Sequence, residues 1–105
     1  MEQQLLRLIN QLFEAEKKAA RNTALQPLQK NLERMRAAVE EMGLRIYNPA
    51  GEAYNELRTD CECSIAGDTS RTLYITEVVK PAVYREEGST RKLIQKAVVI
   101  ADNRA

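Results

Sequence analysis

The sequence predicts an α+β protein: N-terminal amphipathic helices that form a dimeric helical bundle, followed by a small antiparallel β domain. Three observations carry this expectation. Leu28, Leu32, Met35, Val39 and Met42 fall at steps of four, three, four and three, the spacing of a helix seam that packs on other helices. Gly43 follows the last of them, where glycine ends a helix by entering the left-handed conformation without a Cβ clash. Beyond Gly43 the apolar period drops to two and turn residues recur, so residues 1–43 read as a helical dimerisation segment and residues 44–105 as a small all-β domain.

The first helix is expected over residues 2–22, with Leu5, Leu8, Ile9, Leu12 and Phe13 as its stripe and Ala19 and Ala20 continuing it. Lys17, Lys18 and Arg21 crowd its end, where they complement the helix dipole. Asn22, Thr23 and Pro27 interrupt the pattern. Two helices with Pro27 in the first turn of the second are preferred over one helix kinked at that proline. Leu5, Ile9 and Leu12 join Leu28, Leu32, Met35, Val39 and Met42 as the expected dimer interface. The opposite face of the second helix, with Lys30, Arg34, Glu40 and Glu41, can stay in water.

In the β half, Leu44 and Ile46 begin a short strand that Asn48-Pro49-Ala50-Gly51 turns. From Arg58 to Ile65, Cys61, Cys63 and Ile65 alternate with Asp60, Glu62 and Ser64 as a half-buried strand. Gly67 to Ser70 turns the chain, and Leu73 to Val79 is the next strand, limited by Pro81. Arg85 to Thr90 reads as a polar loop and Leu93 to Ala101 as one closing apolar strand. Four short strands in succession suggest an antiparallel sheet, rolled into a small barrel in one version of the fold.

Composition narrows the function. The chain has 105 residues, 44% of them hydrophobic and 30% charged, and sixteen basic residues against fifteen acidic ones leave +1. Such a balance makes no field for nucleic acid or an anionic membrane. No apolar run approaches the ~20 residues that span a bilayer, and no signal peptide opens the chain, so a reducing cytoplasm is expected. With four tyrosines, one phenylalanine and no tryptophan, the β half has few large side chains for a core, which favours a homodimer.

Candidate chemistry is sparse. Histidine is absent, which removes the commonest general base and metal ligand near neutral pH. Cys61 and Cys63 cannot complete a four-ligand zinc site alone, and two residues apart on a strand lie too far apart for an unstrained disulfide. They are expected to be small core residues, and Asp60 and Glu62 a solvated strand face. No catalytic residue, cofactor or metal is therefore expected. Arg85, Arg91, Lys92 and Lys96 gather around the last loop and strand, as a solvated rim or as a docking surface for an acidic patch of a protein partner. Glu86 and Glu87 in the same loop, with no aromatic platform, argue against nucleic acid.

The order of parts resembles the C-terminal two-thirds of GrpE, the nucleotide exchange factor of DnaK-type chaperones. Met42-Gly43-Leu44-Arg45-Ile46 is similar to the family's helix end, an aromatic or Met followed by Gly-Val-x-x-Ile. Gly51-Glu52-Ala53-Tyr54-Asn55 resembles its G-x-P-F-D turn, and Lys92 to Ile100 its terminal R-V-L-R-P-A-x-V-V. Tyr54, Asn55 and Thr59 stand where the family has Phe, Asp and His, and Lys80 to Tyr84 replaces its Gly-Tyr. Lys92 takes the place of an arginine that touches the chaperone, without that side chain's planar fork of donors. The resemblance implies a divergent, shortened relative whose β head contacts the chaperone's nucleotide-binding domain and promotes ADP release. It also implies Tyr84, Arg91, Lys92, Gln95 and Ala101 as the contact residues. A homodimeric adaptor that keeps the fold without exchange activity is the alternative.

Overall fold

The computed structural model describes residues 2–103 and has α+β architecture. The chain divides into two compact units that part between Arg45 and Ile46. Arg104 and Ala105, the end of the expected β domain, lie outside the described residues.

The first unit is helical. α1 (Glu2–Arg21) is followed by a 3-10 segment (Thr23–Leu28) and α2 (Gln29–Glu41). Asn22 is extended, and its side-chain oxygen accepts from the Ala24 N–H at 2.9 Å, so the same residue ends α1 and caps the next turn. Two helices are therefore present, as the proline implied. Pro27 lies inside the 3-10 segment rather than in the first turn of α2, because α2 begins only at Gln29. Ile9, Leu12, Phe13 and Ala19 of α1 are buried, as is Val39 of α2. Arg36 grips Glu16 with both arms of its guanidinium, Nε to Oε2 at 2.9 Å and Nη2 to Oε1 at 2.7 Å. The two residues stand nearly equal distances from the 3-10 segment, so α1 and α2 run antiparallel as a helical hairpin. Gly43 has φ +86° and donates to the Glu40 carbonyl at 3.0 Å, the stop anticipated for it.

The heptad seam of α2 is split. Val39 is buried and Leu32 half-buried, whereas Leu28, Met35 and Met42 are 50%, 46% and 61% exposed. Two of the five seam residues are therefore covered within the chain, as are Ile9 and Leu12 of α1, while Leu5 is half-buried. Leu28, Met35 and Met42, at steps of seven, form the row left uncovered.

The second unit holds two sheets. β1 (Leu44–Tyr47), which straddles the division, β5 (Ala82–Glu87) and β6 (Thr90–Gln95) form one in the order β1-β5-β6. β2 (Ala53–Tyr54), β3 (Cys61–Ile65), β4 (Leu73–Lys80) and β7 (Ala97–Asp102) form the other in the order β2-β4-β7-β3. β7 is the centre of the larger sheet, antiparallel to β4 and parallel to β3. Ala97, Val99 and Ala101 point into the core, beside Ile75 and Val78 of β4, and are essentially inaccessible. Neighbours on both edges also leave the alternate residues Val98 and Ile100 half-buried, which is why this strand reads as one apolar run.

Three sequence expectations fail here. The polar stretch from Arg85 to Thr90 is the tip of a β5–β6 hairpin rather than a loop, turned at Gly88 with φ +64°. Its strand ends are exposed on both faces, so no apolar alternation marks them. The closing strand is two strands, β6 and β7, which belong to different sheets and meet at the exposed Lys96. Seven strands form in place of four, and β3 pairs with β7 in parallel, so the sheet is not wholly antiparallel.

Candidate functional site

The β5–β6 hairpin gathers most of the expected partner-binding residues. Its register sets Tyr84 opposite Leu93, Arg85 opposite Lys92, Glu86 opposite Arg91 and Glu87 opposite Thr90. Successive pairs alternate between faces, so Tyr84 and Arg91 share one face while Lys92 lies on the other beside Arg85. A register shift between Val83 and Tyr84 makes Ile94 the extra residue and brings Gln95 opposite Val83. The Gln95 carboxamide donates to the Pro81 carbonyl at 2.8 Å and so holds the entry to β5. Ala101 is fully buried in β7 and presents no side chain to a partner. The five residues therefore do not form one patch.

Tyr84 faces a charged cluster built by the segment that leads into β3. Arg58 Nε and Nη2 donate to Asp60 at 3.1 and 2.8 Å, Nη1 donates to the Ala53 carbonyl at 3.0 Å, and Nη2 lies 3.1 Å from Glu52. Glu52 also accepts the Tyr47 hydroxyl. The bond from Arg58 holds the Asp60 carboxyl below the usual carboxylate range. Burial, then the nearby Asp60 charge, raises the Tyr84 phenol. Asp60 is thus half of an ion pair, not the simple solvated strand residue expected.

Cys61 is buried and Cys63 half-buried, and both are free thiols. Ile65, the third member of the stripe, is 45% exposed, so the inward pattern fades along the strand. Burial and then Asp60 push the Cys61 thiol up to about 11, and burial also raises Cys63. Such thiols are poor nucleophiles at neutral pH. Among the described residues no three His, Cys, Asp or Glu side chains converge to hold a metal ion.

Sequence reasoning missed a second feature of the β unit, a cleft of about 600 Å³. Tyr54 of β2 and Leu73 of β4, which are cross-strand partners, line it with Ile65 of β3, Glu56, Arg71 and Thr72. One wall is the turn Asn55–Arg58, where the Asn55 side chain accepts the Leu57 N–H at 2.8 Å and the Asn55 carbonyl accepts the Arg58 N–H at 3.1 Å. The other wall is the loop after Gly67, which Asn103 ties to the end of β7. Asn55 two residues before Leu57, and the Gly67-Asp68 turn, are the available signals, but nothing in the sequence brings them together.

Comparison with protein-family models, curated proteins and solved structures finds no match to this chain.

Proposed function

We propose that the chain is a non-catalytic, homodimeric co-chaperone of the GrpE type, which promotes ADP release from a DnaK-type ATPase. The observation that carries this reading is the order of parts: a helical unit, a glycine stop at Gly43, and a two-sheet β unit. The uncovered row of Leu28, Met35 and Met42 is the surface through which two helical units would pair. The β5–β6 hairpin is the contact with the ATPase, through Tyr84 and Arg91 on one face and Lys92 on the other. No covalent step is needed. A protein that binds the nucleotide-poor state of the ATPase more tightly shifts the population toward it, and nucleotide affinity falls by the same coupling. No helix among the described residues is long and apolar enough to cross a membrane, and two free thiols suit a reducing cytoplasm.

The split of Tyr84 from Lys92, and the burial of Ala101, favour a second reading. In it the chain is a dimeric adaptor that keeps the fold without exchange activity. Stopped-flow release of a fluorescent ADP from the host's DnaK-type ATPases separates the two. Acceleration that Tyr84→Ala and Lys92→Glu each reduce supports exchange. A stable dimer that leaves release unchanged supports the adaptor, and a chain that is monomeric throughout removes both.

A further inference from the structure

Single exposed leucines are common on protein surfaces. Leu57 differs because its backbone is fixed from both sides. It is 86% exposed, at the tip of a turn whose first residue, Asn55, bonds the backbone of Leu57 and Arg58. Arg58, the next residue, is anchored by Asp60, Glu52 and the Ala53 carbonyl. An apolar side chain on a backbone that is already fixed costs no loop ordering when a partner covers it, which is the property of an interface anchor.

The same turn borders the cleft. Tyr54, Ile65 and Leu73 offer it apolar surface, Glu56 stands on the wall beside Leu57, and Arg71 stands on the facing loop. Glu56 and Arg71 are both exposed, and neither has a salt-bridge partner among the described residues. One small surface therefore carries an apolar knob, an apolar hollow, an acid on the knob side and a base across the hollow. A two-fold contact requires a self-complementary patch, because residue i of one copy meets residue j of the other and the reverse.

We propose that the β units of two copies of this chain dock on each other through this patch. Leu57 of each enters the cleft of the other, and Glu56 of each meets Arg71 of the other. The contact uses no residue of the helical row, so substitution can separate it from pairing through the helices. It is independent of any exchange activity.

Sedimentation velocity of the full chain over a concentration series tests this, with circular dichroism to verify that each variant is folded. Leu57→Asp is expected to weaken one association step by about tenfold or more, and Leu57→Ser to weaken it less. Glu56→Arg and Arg71→Glu should each weaken the same step, and the two together should restore it. The same dependence on Leu57 should persist in a Met35→Asp/Met42→Asp background. The proposal is overturned if Leu57→Asp associates like the wild type, or if the double charge exchange restores nothing. A wild-type chain that is monomeric throughout overturns it together with the helical dimer. A dimer abolished by the methionine changes and indifferent to Leu57 overturns it alone.

Discussion

Asn103 and Asp68 close a reciprocal pair: Asn103 Oδ1 accepts the Asp68 N–H at 2.6 Å, and Nδ2 donates back to the Asp68 carbonyl at 2.9 Å. The same Nδ2 reaches the Thr72 carbonyl at 3.1 Å, so one carboxamide spans the loop that carries Arg71. Gly67 leaves room for it, since a Cβ there would lie 2.5 Å from Asn103 Oδ1 and 2.7 Å from Asp102 Oδ1 and would displace those side chains. Asn103→Ala should lower stability by about 1 kcal/mol and raise amide exchange in residues 68–72. Gly67→Ala should produce the same exchange pattern by pushing the carboxamide away. Hydrogen exchange read by mass spectrometry checks both, and an unchanged loop in both variants would refute the latch.

The Arg58–Asp60 pair sets an acid limit. Arg58 lowers the folded-state pKa of Asp60 below its ordinary value. The unfolded chain therefore takes up the proton first as pH falls. The stabilisation is complete above the ordinary carboxylate pKa, about 4, and is lost as pH drops through the folded value. Asp60→Asn should be less stable near pH 7 and show a shallower loss as pH falls below about 4. Urea titrations at several pH values read this directly.

The thiols set a limit at the other end. Cys61 is raised from 9.0 to about 11, so the folded chain keeps its proton after the unfolded chain has lost it. Its contribution is whole below pH 9 and declines as pH rises from 9 to about 11. Near neutral pH, Cys61 should react with a disulfide reagent at least tenfold more slowly in the native protein than in urea. Cys61→Ala should flatten the alkaline decline in stability. Fast native labelling of Cys61 would show that the strand opens readily.

The divided seam of α2 predicts a difference between neighbours one or two turns apart. Met35→Asp with Met42→Asp places charge on the uncovered row and should abolish a helical dimer while leaving helix content intact. Val39→Asp places charge in the buried contact of the hairpin and should cost on the order of 3 kcal/mol, so that helix content itself falls. Sedimentation and circular dichroism on the two variants distinguish the roles.

The helical half was readable because helices declare themselves locally. The stripe of α1, the break before Pro27 and the stop at Gly43 all rest on residues within a turn of each other. What the seam concealed was which half the chain uses itself, since α1 and an external helix want the same kind of residue. In the β half, the strands with one covered face were legible, although the first begins at Cys61 rather than Arg58 and the second runs on from Val79 to Lys80. The hairpin was missed because polar strand ends have no alternation, and the division at Lys96 because an apolar run carries no mark of a change of sheet. The cleft joins residues from β2, β3, β4 and two loops, and only the tertiary structure brings these together.

The central place of β7 has a consequence for how the chain acquires its structure. β3 touches the larger sheet only through β7, beginning with Cys61 against Ala97, so it leaves synthesis well before the strand that will hold it. Until then Cys61 and Cys63 belong to an unpaired segment, with thiols of ordinary acidity. Contacts this far apart in sequence form late. Oxidants and alkylating agents therefore threaten the newborn chain far more than the finished one, and damage at either cysteine would register as a failure to mature.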